Sequence, residues 1–132
     1  MEKILIKHLR IQPLAFIAFT LFCLNNATAL GLGNIEIKSK LGHPLLAFVK
    51  ILHADGLNED QLHIKNTVIS VYKTQGIEYK SSYNDLRFFV DGEVIKIVTF
   101  QPIKEPYMNF ILEITWPNGR LYKTFEVFLD PV

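Results

Sequence analysis

Alternation of apolar and polar side chains in residues 108–116 constrains this chain more than any other feature of its sequence. Each even-numbered residue from Met108 to Trp116 is apolar, whereas Asn109 and Glu113 between them are polar. A period of two residues is that of a β-strand with one face on a core and the other in water. The segment therefore predicts a strand and places Trp116 among the core residues.

The residues that follow predict a hairpin. Pro117-Asn118-Gly119 comes directly after the strand, and residues 121–129 alternate again, with Lys123 as a polar exception on the apolar face. Proline sets φ in a turn, and glycine adopts the left-handed conformation that a three-residue hairpin loop requires. We therefore expect two paired strands joined by a three-residue turn.

Further strand signals make the expected fold all-β. Five more segments are predicted as strands: residues 35–37, 45–51, 62–65, 87–90 and 93–100. The last two flank Asp91-Gly92, a dipeptide that favours a two-residue type I′ turn. About seven strands in roughly 100 residues, separated by turns, predict an immunoglobulin-like β-sandwich.

One or two short helices are expected between the strands. Asn58 is a residue type that caps a helical turn, and residues 70–75 end at Gly76, which suits a helix C-terminus. The β-branched residues Val68 and Val71 favour a strand over the same stretch. Helix and strand therefore both remain open there.

The first 29 residues have the order of a secretory signal peptide. Basic residues precede an apolar run at residues 13–24, and an A-x-A motif of small residues ends at Ala29. The run is shorter than the roughly 20 residues that span a bilayer. We expect cleavage after Ala29 and export of residues 30–132 as one soluble domain without cysteine.

Neither the charge nor the reactive side chains indicate a nucleic-acid or catalytic site. Fourteen basic and thirteen acidic residues leave a net charge of +1, unlike the concentrated positive charge that binds a phosphate backbone. His43, His53 and His63 are not spaced as zinc ligands and have no cysteine beside them. No G-x-S-x-G motif supplies a nucleophile. We therefore expect no metal, no cofactor, no nucleic-acid partner and no enzymatic activity.

Several motifs are spread over residues 30–132. An E-P-Y-x-N-F strand begins at Glu105, and a W-P-x-G-R-L turn begins at Trp116. Other motif positions are Leu30-Gly31-Leu32-Gly33, Ser39, Leu41, Pro44-Leu45 and Leu129-Asp130-Pro131. Together they resemble the N-terminal periplasmic domain of the FimV family of type IV pilus assembly proteins, and residues 57–82 match it poorly.

The resemblance implies a non-enzymatic interaction domain in the periplasm of a Gram-negative bacterium. The implied partners are envelope or pilus-machinery proteins, including those associated with the outer-membrane secretin. Longer members of the family continue into a peptidoglycan-binding LysM module, a membrane helix and an acidic repeat region. This sequence contains no LysM module, so peptidoglycan binding is not expected of it, and it fits either a stand-alone paralogue or a part of a longer protein. An alternative is an adhesin- or chaperone-like sandwich that binds a partner's strand at an open sheet edge.

The connection between the fifth and sixth predicted strands is the expected partner-binding site. It holds two prolines and a tyrosine, and a stiff loop with an aromatic side chain binds at low entropic cost. Lys104, Glu105 and Tyr107 are the candidate contacts. Arg120 is expected as their charged neighbour from the next hairpin. The alternative is that the tyrosine only anchors the following strand, with its ring packed and its hydroxyl bonded to the backbone.

Overall fold

The structure, a computed structural model, describes residues 29–131 and contains two packed antiparallel sheets. Seven strands follow in chain order: β1 (Gly31–Ile37), β2 (Pro44–Leu52), β3 (His63–Asn66), β4 (Arg87–Asp91), β5 (Val94–Pro102), β6 (Tyr107–Trp116) and β7 (Gly119–Phe128). One sheet has the order β1-β2-β5-β4 and the other the order β3-β6-β7. This four-plus-three arrangement is that of a seven-stranded immunoglobulin domain. The predicted all-β immunoglobulin-like fold is confirmed.

The core lies between the two sheets. Its fully enclosed side chains include Ala47 and Val49 of β2, Ile95 and Ile97 of β5, and Phe110 of β6. Successive side chains of a strand point to opposite faces, so a one-residue slip in register would expose this whole set. The buried face therefore holds the strands in a single register.

Lys123, the polar exception on the apolar face of β7, has a structural role. Its ammonium donates a hydrogen bond to the Leu32 carbonyl oxygen at 2.9 Å and lies 5.6 Å from the centre of the Phe125 ring. The long apolar stem of a lysine can pack beside a core while its charged end reaches a polar atom. Lys123 thus joins β7 of one sheet to β1 of the other.

The two expected helical segments are both present. A 3₁₀ helix (Glu59–Gln61) follows Asn58, whose N–H donates to the Gln61 side-chain oxygen at 2.9 Å. Helix α1 (Ile69–Gln75) ends at Gly76, which has φ +71°. A second 3₁₀ helix (Ser81–Asp85) precedes β4. The left-handed glycine closes α1 by a hydrogen bond onto its last turn, so this stretch is a helix despite its β-branched residues.

Two buried tyrosines complete the edge of β6 where β3 no longer covers it. β3 pairs only with residues 112–115 of β6. Beyond that point the Tyr72 hydroxyl accepts the Ile111 N–H at 2.8 Å, and the Tyr83 hydroxyl accepts the Asn109 N–H at 2.9 Å. Buried backbone donors need such partners. The tyrosines therefore replace a neighbouring strand along this part of β6.

The β6–β7 hairpin closes differently from the expected three-residue turn. Trp116 pairs with Gly119, so the loop has two residues, and Gly119 is not in the left-handed region. Glycine is needed there for space, because a Cβ would lie 2.8 Å from Cζ2 of Trp116. Trp116, expected in the core, is partly buried: it packs against the core cluster at its rim and lies against this glycine.

Gly119→Ala is expected to lower the free energy of unfolding by about 1 kcal/mol, because the added methyl group forces the Trp116 ring to move. Gly33→Ala is the matched control, since a Cβ there meets nothing closer than 3.5 Å. We expect the control to change stability by less than about 0.5 kcal/mol or to raise it slightly. Urea denaturation compares the two variants, and equal stabilities would contradict the steric explanation.

Candidate partner-binding surface

Backbone hydrogen bonds hold the β5–β6 loop, residues 103–106, at both ends. Ile103 is buried, and its N–H donates to the His43 carbonyl oxygen at 3.0 Å. At the other end, the Leu129 N–H donates to the Pro106 carbonyl oxygen at 2.8 Å. The loop is thus fastened to the β1–β2 turn and to the segment after β7, in addition to the restriction that Pro106 imposes on φ.

Three of the predicted site residues line one small cavity beside this loop. The cavity has a volume of about 220 Å³, with Lys104, Glu105 and Tyr107 in its wall. Its remaining lining residues come from the loop, from β6 and from the segment around the second 3₁₀ helix: Lys80, Ser82, Tyr83, Pro102, Ile103 and Met108. Buried Ile103 and Met108 provide an apolar floor, which is the type of pocket that accepts an apolar anchor from a protein partner.

An ion pair joins the two sides of this cavity. The Lys80 ammonium contacts the Glu105 carboxylate, and this hydrogen bond raises the pKa of Lys80. Both side chains are accessible to water, where such a pair adds little stability. Its effect is to position two charges at a site where a partner could dock.

Tyr107 adds an exposed aromatic surface next to the cavity. The side chain is 37% exposed, and its ring centre lies 5.1 Å from that of Phe128, which is 68% exposed. The alternative role considered for Tyr107, a packed ring whose hydroxyl binds the backbone, is filled by Tyr83. The structure therefore places Tyr107 at the surface together with a second aromatic residue.

Arg120 is not a neighbour of the other three residues. It pairs with Thr115 near the closed end of the β6–β7 hairpin, whereas Tyr107 pairs with Phe128 at the opposite end. At about 3.4 Å per residue, the part of β6 between these pairs measures about 27 Å. The Arg120 guanidinium instead lies 3.3 Å from the Tyr122 hydroxyl.

Sequence reasoning does not identify Lys80, Tyr83 or Phe128 as parts of this surface. Lys80 is 25 residues from Glu105 in the chain, in a stretch without clear periodicity, so nothing local brings the two together. Phe128 does carry a signal. It occupies an outward position of β7, where a polar residue is usual on a water-facing strand.

The three histidines lie on separate parts of the sandwich. His43 and His53 flank opposite ends of β2, and His63 begins β3. Within residues 29–131, no three His, Cys, Asp or Glu side chains are grouped as metal ligands would be.

The helices of this same stretch are all too short or too polar to cross a membrane. The predicted signal peptide lies outside the described residues apart from Ala29.

Comparison with known proteins gives matches over the same part of the chain. The family model described as FimV N-terminal domain, Ig-like domain, matches residues 30–132. Two relatives, from the PAO1 and UCBPP-PA14 strains of Pseudomonas aeruginosa, each bear the name Motility hub protein FimV and are 34% identical over 110 residues. The match covers 80% of this chain and 12% of each relative, so the chain spans a small part of their length.

Proposed function

Because the chain belongs to the family of FimV N-terminal domains, we propose that it is a non-enzymatic domain that binds a protein of the type IV pilus or polar envelope machinery. The match over residues 30–132, together with the identity to motility hub proteins, carries this proposal. The domain acts in the periplasm, after removal of residues 1–29. Its partner is an envelope protein, and this class includes the proteins that associate with the outer-membrane secretin.

The β5–β6 loop and its cavity are the binding site in this proposal. The loop is already ordered by backbone bonds, so little conformational entropy is lost on binding. Tyr107 and Phe128 offer aromatic area, and Lys104 and Glu105 orient the partner through their charges. Arg120 would take part only with a partner that extends along the whole of β6.

Lys104→Ala combined with Glu105→Ala is expected to weaken pilus-dependent motility while leaving stability within about 0.5 kcal/mol, because both side chains are exposed. The changes are made in the full chain in the cells that produce it. Lys73→Ala with Glu78→Ala removes the same charges elsewhere and should leave motility normal. An intact mass beginning at Leu30 in the periplasmic fraction checks that both variants are exported. Normal motility of the first variant at normal abundance would exclude the loop from the binding site.

Strand addition is a second candidate function. The feature that favours it is that β3 and β4, which lie on the same side of the sandwich, are both edge strands of their sheets. Concavities of about 720 and 640 Å³ lie along these strands, with Ile64 and Phe88 in both linings. An extended partner segment could pair with an open edge there. In a purified complex, strand addition would slow amide hydrogen exchange in β4, whereas binding at the loop would protect residues 103–107 and leave β4 unchanged.

A further inference from the structure

The free edge of β4 presents a defined row of backbone groups. Asp91 and Val94 close a two-residue turn between β4 and β5, so they exchange both of their backbone hydrogen bonds. The direction of these groups alternates along an antiparallel strand, so the N–H and C=O groups of Phe88 and Val90 point away from β5. The concavity of about 720 Å³ described above lies along this part of β4, so a second extended chain can reach the row.

β4 lacks the features that usually block pairing at an edge strand. It contains no proline, and it pairs with β5 residue for residue without a bulge. Among the other edge strands, β1 is interrupted by a bulge between Leu32 and Ile35, β7 is linked to β1 through Lys123, and β3 has only four residues. Because prolines, bulges and short length protect edges from other chains, β4 is the least obstructed edge of the described domain.

The sequence of β4 is complementary to itself in antiparallel orientation. It reads Arg-Phe-Phe-Val-Asp, with a basic end, an acidic end and three apolar residues between them. A twofold axis at Phe89 places Arg87 of each copy opposite Asp91 of the other copy. The same axis sets the edge-facing backbone groups of Phe88 opposite those of Val90, as the alternation of these groups requires. A shift of two residues in either direction would instead place Phe89 opposite a charged residue.

The side chains of β4 suit the same pairing. Arg87, Phe89 and Asp91 are exposed on the outward face of the sheet, and Phe89 is 54% exposed. Under the twofold axis these three residues occupy non-hydrogen-bonded positions, where opposite side chains approach most closely. Aromatic pairs and pairs of opposite charge are among those that stabilise adjacent antiparallel strands. The pairing therefore joins two ion pairs to one central aromatic pair.

Arg87 is positioned before a second copy binds. Its Nη1 donates to the carbonyl oxygens of Asn84 and Leu86 at 2.8 and 3.0 Å, and its guanidinium lies 5.8 Å from the centre of the Phe100 ring. These bonds leave the hydrogens on Nη2 and Nε, and a guanidinium binds a carboxylate through two N–H groups. The guanidinium thus keeps donors for Asp91 of the second copy, and little side-chain entropy is lost on binding.

Acidic neighbours preserve the difference between the two ends of β4. The Glu59 carboxylate accepts the Gly92 N–H at 2.6 Å, which adds a negative charge beside Asp91. At the basic end, the carboxylate of Asp85 is turned toward β5, where it accepts two backbone N–H groups at 3.0 and 2.8 Å. Arg87 of a second copy would therefore meet the acidic end that Asp91 and Glu59 form.

Lys96 does not oppose the pairing, although it lies beside Phe89 on β5. In a joined sheet the two copies of Lys96 would be three strand spacings apart, or about 14 Å. Exposed charges separated by more than the Debye length of roughly 8 Å are largely screened at physiological ionic strength. The repulsion between these two lysines is therefore small.

We propose that this chain forms a twofold dimer through β4, in which two four-stranded sheets join into one sheet of eight strands. The inference rests on the strand addition considered above for this edge, and it names β4 of a second copy as the added strand. Five paired residues in each copy bury less than the roughly 1,200 Å² of a stable interface, so the dimer dissociates on dilution. No residue of β4 lines the cavity beside the β5–β6 loop, and that site remains available.

A single cysteine at position 89 tests the dimer in the full chain, in the cells that produce it. Residues 30–132 contain no cysteine, and opposed residues of a non-hydrogen-bonded pair satisfy the Cα spacing of a disulfide. We expect Phe89→Cys to give a disulfide-linked dimer of this chain on non-reducing gels, identified by mass spectrometry. The wild-type chain on the same gel reports any linkage through Cys23.

Phe100→Cys is the matched control for this linkage. Phe100 is 66% exposed on the same face of the same sheet. It lies four residues beyond Lys96 on β5, or about 14 Å along the strand, so two copies of position 100 are too far apart in the dimer for a disulfide. We expect at least about tenfold less linked dimer from this variant.

Charge reversal in the Phe89→Cys chain tests the register. Asp91→Arg places two arginines opposite each other and should lower the yield of linked dimer by about tenfold, since like charges oppose association. Adding Arg87→Asp to that variant makes the opposed charges complementary again and should restore the yield. Glu78→Arg reverses an exposed charge outside β4 and should leave the yield unchanged.

Four results would overturn the dimer. They are equal yields from positions 89 and 100, a link from position 89 to a different protein, a yield that Asp91→Arg leaves unchanged, and no recovery in a double variant that unfolds at the wild-type temperature. The second result would retain strand addition at β4 with another chain as the partner. None of them bears on the β5–β6 loop, which Lys104→Ala with Glu105→Ala tests separately.

Discussion

Tyr72→Ala is expected to lower the free energy of unfolding by about 3 to 5 kcal/mol. The Tyr72 side chain has no exposed surface, and its ring lies 5.0 Å from that of Tyr79 and 6.2 Å from that of Tyr83. Its removal leaves a cavity between α1 and β6 and takes away the acceptor for the Ile111 N–H. Because a domain is stable by only about 5 to 15 kcal/mol, chemical denaturation should show a large loss.

Tyr72→Phe separates the contribution of the hydroxyl group from that of the ring. The ring stays, but the Ile111 N–H loses its acceptor in a buried position, which costs about 1 to 3 kcal/mol. Tyr122→Phe is the matched control, since Tyr122 is 37% exposed, and it should change stability by less than about 0.5 kcal/mol. Faster amide exchange at Ile111 in Tyr72→Phe would support the bond, and unchanged stability with unchanged exchange would argue against it.

Stability is also expected to fall by about 2 kcal/mol as the pH rises from 10 to 12. Burial raises the pKa of Tyr72 from an ordinary value of 10.0 to about 12. Between these values the unfolded chain has lost the phenolic proton, while the folded protein retains it. The unfolded state then binds fewer protons, and a rise in pH favours it.

Tyr72→Phe is the control for this alkaline loss, because it has no titrating group at position 72. Lysines and the other tyrosines titrate in both proteins, so the comparison isolates one side chain. Denaturant titrations at pH 8, 10 and 12 should show the stability advantage of the wild type shrinking across the range. A constant difference would mean that Tyr72 does not govern the alkaline unfolding.

Local periodicity was sufficient to predict all seven strands, whereas for residues 70–75 it left helix and strand both open. Alternation is a property of neighbouring residues, and the geometry of an extended chain translates it directly into a buried and an exposed face. Gly76 illustrates the same point for helices, because its left-handed φ of +71° terminates α1 where the sequence placed the end. Such features depend on a few consecutive residues and are therefore readable without a structure.

Details that depend on contacts between distant residues were less predictable. Gly119 was expected to supply a left-handed turn residue, whereas its role is to leave space for the Trp116 ring. Arg120 was expected beside the β5–β6 loop, but the length of β6 places it at the opposite end of the strand. The partner of Glu105, Lys80, comes from a segment whose position is set only by how it packs.

The sequence by itself determined the strands and the all-β class, since both follow from the periodicity of neighbouring residues. The tertiary structure alone decided the order of the strands, the cavity beside the loop and which face of the four-stranded sheet lies outward. On β2 and β5, apolar residues occupy both faces, so alternation cannot say which face is buried. That choice is made by the second sheet, which covers one face with its own core residues and leaves the other in water.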